Sequence, residues 1–179
     1  LLDPLCDNEY LPTLRRQGFC SVRFNPYLFP DGEDGKGMSS DRGKELFKQC
    51  AELSMPVGFM LFKGIPRHVA EVEELLECES NTAVLIDHFG FFVQNGEVDE
   101  DAFNKLLEWG SKYPQLHVKI SAFFRNVVTK EFPYMELKDR FFALKDAFGA
   151  DRLLFGSDFP YVVDECKYAE TIQAVKAWG

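Results

Sequence analysis

The chain has 179 residues, of which 46% are hydrophobic and 27% charged, a balance typical of a globular protein with one sizeable core. Its formal net charge is -9 and its 20 basic residues form no stripe, which excludes the usual electrostatics of a nucleic-acid-binding protein. No apolar run is long enough for a membrane span, and the five scattered cysteines favour an intracellular compartment, either cytoplasm or plastid.

Short β-rich runs alternate with helical patterns along the chain. A helix-like segment over residues 10–17 comes first, before any strand. The predicted strands cover residues 19–25, 57–62, 82–87, 117–121 and 152–157. Helical periodicity follows each of them, over residues 41–53, 71–77, 101–113, 136–148 and 166–178.

This alternation predicts an α/β fold with a parallel sheet. Antiparallel neighbours need only short turns, whereas every connection here is long enough to hold a helix. The pattern leaves two architectures open, an open sheet and a TIM-like (β/α)8 barrel. No glycine-rich nucleotide motif follows a strand, and a closed barrel usually takes about 250 residues, so a barrel would be represented here by about its last five β/α units.

Two short motifs place chemically capable side chains at predicted strand ends. They are "IDHFG", which contains His88, and "GSDFP", which contains Asp158. The carboxyl edge of a parallel sheet holds the active site in barrels and open sheets alike. The two side chains suit either a metal site or a pair of electrophilic helper and general base. The alternative is structural, with Asp158 capping the next segment and His88 bonding a loop carbonyl.

Two arginines are candidates for binding an anionic group of a substrate. Arg23 lies within a strand that is otherwise apolar, and Arg125 lies in the loop after another strand. For Arg23 the alternative is an ion pair across the barrel interior, and Lys119 is predicted to be structural. The glycine-rich segment over residues 32–46 is predicted to be an active-site loop.

A set of longer motifs resembles a known family. "VRFNP", "IDHFGF", "VKISAFFR" and "FGADRLLFGSDFPYV" are similar to amidohydrolase family 2, closest to its plant and algal branch, and to the lactonases that open pyrone-dicarboxylate rings. The resemblance covers nearly the whole chain. It implies that residues 1–179 are a single barrel domain supplying strands four to eight, without the N-terminal strands that include an H-x-H motif and without the extreme C-terminus.

The resemblance also implies roles for the candidate residues. Asp158 matches the aspartate of the eighth strand, a general base, and His88 matches the histidine of the sixth strand, which polarises the carbonyl. Both are also the candidate ligands for one divalent ion, zinc or manganese, and a metal-free mechanism is open as well. Arg23 and Arg125 match arginines that hold substrate carboxylates in the lactonases.

The chain departs from the family at informative positions. Met60 and Phe62 stand on the fifth strand, where the decarboxylase branch has a histidine ligand. Phe91 and Phe29 stand where the pyrone-dicarboxylate lactonases have arginines. These differences favour the lactonase branch and imply a substrate that is less charged or more apolar than a dicarboxylate.

The sequence therefore predicts a hydrolase that opens a lactone or a similar cyclic ester or amide. The first alternative is a metal-dependent decarboxylase of the same superfamily. The second is a non-catalytic scaffold or interaction subunit, in which a protein partner covers the open edges of the barrel. The expected ligand is a small molecule with an anionic group, and neither nucleic acid nor a membrane span is expected.

Overall fold

A computed structural model describes residues 1–30 and 37–179 of the chain. The predicted active-site loop over residues 32–46 therefore lies partly outside the described residues. The remainder of that segment, from Gly37 onward, is a short 3-10 turn followed by a helix.

Five parallel strands form the main sheet, and their order in space is their order in the chain. A two-stranded antiparallel hairpin is inserted after the third of them. In chain order the strands are β1 (Val22–Phe24), β2 (Val57–Phe59), β3 (Val84–Ile86), the hairpin strands β4 (Val93–Gln94) and β5 (Glu97–Val98), β6 (Leu116–Ile120) and β7 (Leu153–Phe155). The sheet order is β1-β2-β3-β6-β7, as in consecutive strands of a β/α barrel.

Helices precede, connect and follow the strands of the main sheet. In chain order they are α1 (Tyr10–Arg16), α2 (Asp41–Glu52), α3 (Val69–Cys78), α4 (Glu100–Lys112), α5 (Lys138–Phe148), α6 (Tyr161–Glu165) and α7 (Tyr168–Trp178). Two of them begin at side-chain caps: Ser40 Oγ accepts from Gly43 N at the start of α2, and Asp99 Oδ1 accepts from Ala102 N at the start of α4.

Alternation along the strands separates the core from a concave face. In β1, β2 and β3 the first and last residues are buried, while the middle residues, Arg23, Gly58 and Leu85, are half-buried and lie side by side in register. The buried strand residues pack against the helices. There the rings of Phe24 and Phe59, from two strands, cluster with that of Phe47 from α2. The half-buried set lines the concave face, which is the interior of a barrel.

The predicted partial barrel is confirmed, but its strands are shorter than the apolar runs suggest. The second strand ends at Phe59 rather than at Phe62. The apolar pattern continues beyond it because the loop that follows carries the buried Leu61 and Ile65. Neither the β4–β5 hairpin nor α6 is predicted, since both are too short to leave a periodic pattern. Within the described part of the chain, no helix has both the length and the apolar character needed to cross a membrane.

Candidate active site

Three neighbouring strands bring polar side chains together at their carboxyl ends. His88 follows β3, Ser121 follows β6 and Asp158 follows β7. Because β3, β6 and β7 are adjacent in the sheet, these side chains meet at one edge. This is the edge at which parallel α/β folds place their active sites.

His88 is the centre of this cluster. Its Nδ1 lies 2.7 Å from Ser121 Oγ, and its Nε2 lies 3.4 Å from Asp158 Oδ1. The other carboxylate oxygen of Asp158 accepts a hydrogen bond of 3.0 Å from Arg125 Nε. Three of the residues singled out in the sequence therefore join in one array, with Ser121 added.

Burial controls the charge of His88. The side chain is only 8% exposed, and this burial lowers its pKa below the ordinary value. The carboxylates of Asp87 and Asp158 act in the opposite direction, and the positive charges of Lys119 and Arg23 add to the lowering. The imidazole is therefore neutral at pH 7, with one ring nitrogen able to donate and the other to accept.

Arg125 is held in place by aromatic rings as well as by Asp158. The carbon at the centre of its guanidinium lies 5.1 Å from the centre of the Phe124 ring and 4.9 Å from that of Tyr161. Such stacking fixes the plane of the guanidinium. Its side chain is nevertheless 37% exposed, so part of the guanidinium remains accessible to a ligand.

Left-handed backbone is concentrated in the loops that carry the cluster. His88, Phe91, Ala122 and Asp158 have φ values of 52°, 53°, 52° and 65°. Residues with a side chain rarely adopt this conformation, and each instance costs on the order of 1–3 kcal/mol. The surrounding packing must therefore hold these loops, and such strain is common at functional sites.

Arg23 lies on the concave face and binds a different carboxylate. Its Nε is 3.0 Å from Oδ2 of Asp87, and Lys119 Nζ is 2.6 Å from Oδ1 of the same residue. Asp87 is 1% exposed, so its charge needs these partners. The side chain of Arg23 passes beside Gly58 of β2, where a Cβ would lie 3.9 Å from it. The structure thus shows the ion pair that was the alternative role of Arg23.

The geometry of that ion pair is imperfect. Although Arg23 Nε is close to Asp87 Oδ2, this oxygen has no hydrogen bond within residues 1–30 and 37–179. We regard the contact as an ion pair with a poor hydrogen-bond angle. Arg23, Asp87 and Lys119 all line a cavity of about 340 Å³ on the concave face of the sheet.

Asp87 and Ser121 also stand at the carboxyl ends of predicted strands, which is the signal that marks them in the sequence, but sequence reasoning gave neither of them a role. Lys119 was predicted to be structural, and its pairing with Asp87 agrees with that role. In the structure Asp87 follows Ile86, whose register partner Val118 precedes Lys119, so the opposite charges are neighbours on adjacent strands. This register cannot be read from the sequence. The contact between His88 and Ser121 leaves no signal in the sequence either, because it depends on how the loop turns.

The described residues supply few ligands for a divalent metal. His88 and Asp158 offer one nitrogen and one carboxylate of suitable chemistry. No group of three histidine, cysteine or acidic side chains that could hold an ion occurs in the part of the chain that the structure describes. Catalytic zinc sites use three protein ligands, so these residues do not form a complete metal centre.

Solved structures of similar fold span this chain almost completely. A protein from Pseudomonas putida described as a 2-pyrone-4,6-dicarboxylic acid hydrolase is 24% identical over 100% of this chain and 63% of its own, with a TM-score of 0.75. A zinc-bound amidohydrolase from Burkholderia multivorans is 19% identical over 88% of this chain and 56% of its own, with a TM-score of 0.69. The 2,6-dihydroxybenzoate decarboxylase from Rhizobium is 14% identical over 98% of this chain and 67% of its own, with a TM-score of 0.56.

These likenesses show the fold, and the chain spans less than two thirds of the first two structures. None of the curated protein sequences matches the chain. The amidohydrolase family, by contrast, matches residues 3–177, which is nearly the entire sequence. The chain therefore belongs to the amidohydrolase family.

Proposed function

We propose that the full-length protein is a hydrolase that opens a lactone or a related cyclic ester or amide. The observation that carries the proposal is the convergence of His88, Asp158 and Arg125 at one sheet edge, with His88 buried and Asp158 nearly so. A carboxylate beside a neutral imidazole provides a proton acceptor and a hydrogen-bond donor. Hydrolysis of a cyclic ester needs both.

Asp158 acts as the general base in this proposal. Its carboxylate removes a proton from water while the water oxygen attacks the carbonyl carbon. The bond between that carbon and the ring oxygen then breaks, and the protonated Asp158 returns the proton to the leaving oxygen. One water is consumed, and the ring opens to a hydroxy acid.

His88 stabilises the negative oxygen that forms during attack. If the Ser121 hydroxyl donates to Nδ1, the single ring proton of the neutral imidazole is on Nε2. Nε2 then donates to the carbonyl oxygen, since its contact with Asp158 Oδ1, at 3.4 Å, is long for a hydrogen bond. Donors of this kind contribute most where water is excluded, and His88 is buried.

Arg125 orients the substrate through the accessible part of its guanidinium. Its Nε is occupied by Asp158, and no hydrogen bond to its two Nη nitrogens is found among the described residues. The substrate contact expected for Arg23 stays a prediction, because Asp87 already pairs with its Nε.

The second candidate is a metal-dependent decarboxylase, which the likeness to the Rhizobium enzyme favours at the level of fold. Met60 and Phe62 weigh against it, since neither supplies a metal ligand. Zinc is bound in the Burkholderia multivorans relative. For this protein, one zinc or manganese ion held by His88 and Asp158 stays a prediction, beside a metal-free mechanism. A scaffold without activity is the third candidate. Membership of the plant and algal branch and an intracellular location stay predictions from the sequence.

Identifying the products that the full-length protein forms separates these functions. We expect incubation with a panel of lactones to yield ring-opened acids heavier by one water, without release of carbon dioxide, and we expect activity to survive removal of metal by a chelator. Release of carbon dioxide from aromatic acids, together with stoichiometric metal essential for activity, would establish the decarboxylase. If the full-length protein converts neither the lactones nor the aromatic acids, this result would favour the scaffold.

A further inference from the structure

A second cavity, of about 430 Å³, lies beside the His88–Asp158 pair. It is formed by the loops that follow β2, β3 and β6 together with the β4–β5 hairpin. Its walls include Phe62, Phe91, Phe124, Val127, Arg125 and Lys130.

Two walls of this cavity contact the catalytic cluster directly. The Phe91 ring meets the His88 ring edge to face, with centres 5.0 Å apart and planes at 88°. Arg125 links the cavity to Asp158 through its Nε. A ligand that rests on Phe91 and Arg125 therefore lies next to the two groups that carry the proposed chemistry.

Hydrogen bonds hold the aromatic walls in position before a ligand arrives. Gln94 Nε2 donates to the carbonyl of Phe91 at 2.9 Å and to that of Phe62 at 3.4 Å, which ties two loops together. The Phe62 ring also packs against Tyr27, whose Oη accepts from Lys63 N at 3.1 Å. Aromatic walls that are already in position bind rings with little ordering cost.

The charges around the cavity leave room for one anionic group. Lys130 is paired with Glu165, so its charge is already balanced. Arg125 gives one nitrogen to Asp158, and its accessible Nη edge can bind a second carboxylate. A planar guanidinium commonly bridges two oxygen groups in this way. Because Glu165 already pairs with Lys130 in this lining, a second carboxylate on the ligand would find no free cation there and would lose part of its hydration without compensation.

We propose that this cavity selects substrates whose non-reacting part is an apolar ring carrying a single carboxylate. The ring stacks among Phe62, Phe91 and Phe124, and the carboxylate binds the Nη edge of Arg125. This inference rests on the proposed function, because it treats the cavity as the substrate site of the same reaction. Phe91 is the specificity-determining residue, since it contacts both the cavity and His88.

Equilibrium binding of unreactive acids to the full-length protein tests the cavity without turnover. We expect benzoate to bind about tenfold more tightly than acetate, because its ring is buried, and about tenfold more tightly than isophthalate, which adds a second carboxylate. Phe91→Ala should weaken benzoate about tenfold and leave acetate unchanged. The matched control is Phe19→Ala, which removes an exposed ring at the opposite edge of the sheet.

The same variants show which proposal is wrong, the selectivity of the cavity or the hydrolase reaction. If lactones are hydrolysed but Phe91→Ala leaves the preference for ring monocarboxylates unchanged, the cavity proposal is wrong and the hydrolase proposal stands. If benzoate binds selectively through Phe91 but no lactone is hydrolysed, the reaction is wrong and the ring-carboxylate site stands. Equal affinity of the wild type for benzoate and isophthalate overturns the proposed selectivity.

Discussion

The guanidinium of Arg152 holds the ends of two helices together. Its Nε donates to Phe148 O at 2.7 Å, and its Nη atoms donate to Tyr113 O at 3.0 Å and Gly110 O at 2.8 Å. These carbonyls lie at the carboxyl ends of α4 and α5, where helices leave acceptors without partners and carry partial negative charge. Arg152, the arginine of the "GADR" motif that resembles the family, therefore has a structural role.

Replacing Arg152 with alanine should strongly destabilise the protein. The change leaves several carbonyls without a donor, and hydrogen bonds to charged groups contribute about 1.5–3 kcal/mol each. We expect a loss of about 3 kcal/mol in the free energy of unfolding, measured by urea denaturation. Arg16→Ala is the control, because that side chain is 65% exposed and should change stability by less than about 0.5 kcal/mol. Equal effects of the two variants would show that the Arg152 bonds contribute little.

His88 should make stability depend on pH. Its folded-state pKa lies below the ordinary histidine value of 6.5, so the unfolded chain takes up a proton more readily than the folded one. The free energy of unfolding should therefore fall as the pH decreases below about 6.5, by at most about 1.4 kcal/mol per pH unit for one proton.

The dependence is checked by urea denaturation between pH 7 and pH 5. His88→Gln should flatten the slope in this range, whereas His117→Gln, which removes an imidazole bonded to main-chain carbonyls, serves as the control. A slope that His88→Gln leaves unchanged would mean that another group is responsible.

Single residues differ in how far the sequence predicts them. His88 and Asp158 could be found because each follows an apolar strand, and strand ends share one edge in a parallel sheet. The binding of Asp87 to both Arg23 and Lys119 could not be found in the same way. It depends on Gly58 letting the side chain of Arg23 cross β2, a contact that only the three-dimensional register reveals.

Close contact between α4 and α5 depends on a glycine. A Cβ on Gly110 would lie 2.3 Å from Cε2 of the Phe148 ring, far inside van der Waals distance. Phe148 is buried, so its ring has little room to move. The two helices can pack at this distance only because position 110 has no side chain.

Gly110→Ala should therefore destabilise the protein even though alanine favours helices. Propensity alone predicts a gain of about 1 kcal/mol, and overpacking costs about 1–3 kcal/mol, so we expect a net loss of up to about 2 kcal/mol. Thermal denaturation of the wild type and the variant measures this loss of stability. Ser111→Ala, at an exposed position of the same helix, should have no such cost, and a stabilised Gly110→Ala protein would contradict the contact.

Elements were predictable in kind and order but not in extent. The long connections identify parallel strands and helices because hairpins cannot be that long. The second strand was overestimated at residues 60–62, where apolar loop residues continue the pattern of the strand, and the fourth was overestimated by one residue, at Ser121. The β4–β5 hairpin, which shapes the second cavity, has two residues per strand and leaves no periodic signal.

At the scale of the molecule, the sheet has an exposed edge. Within residues 1–30 and 37–179 no strand pairs with the outer side of β7, where Leu154 and Phe155 are 42% and 48% exposed. Unpaired, apolar strand edges are templates for pairing with other chains. In a complete barrel another strand covers this side of β7. The alternative prediction from the sequence is that a protein partner covers it.

Residues 1–179 produced alone should therefore self-associate. Sedimentation velocity over a range of concentrations measures this, and we expect species larger than a monomer. Leu154→Lys, which places a charge on this strand, should shift the distribution toward monomer. A monodisperse monomer at high concentration would indicate that the exposed edge of β7 does not drive self-association.

The proposed role of Asp158 is tested most directly by comparing turnover of a lactone substrate by full-length wild type and Asp158→Asn. The substitution keeps the shape of the side chain but removes its ability to accept a proton. We predict a fall in kcat of about 10²–10⁴-fold, while Asp164→Asn, at an exposed position in α6, retains wild-type activity. Equal turnover by wild type and Asp158→Asn would contradict the assignment of Asp158 as the general base.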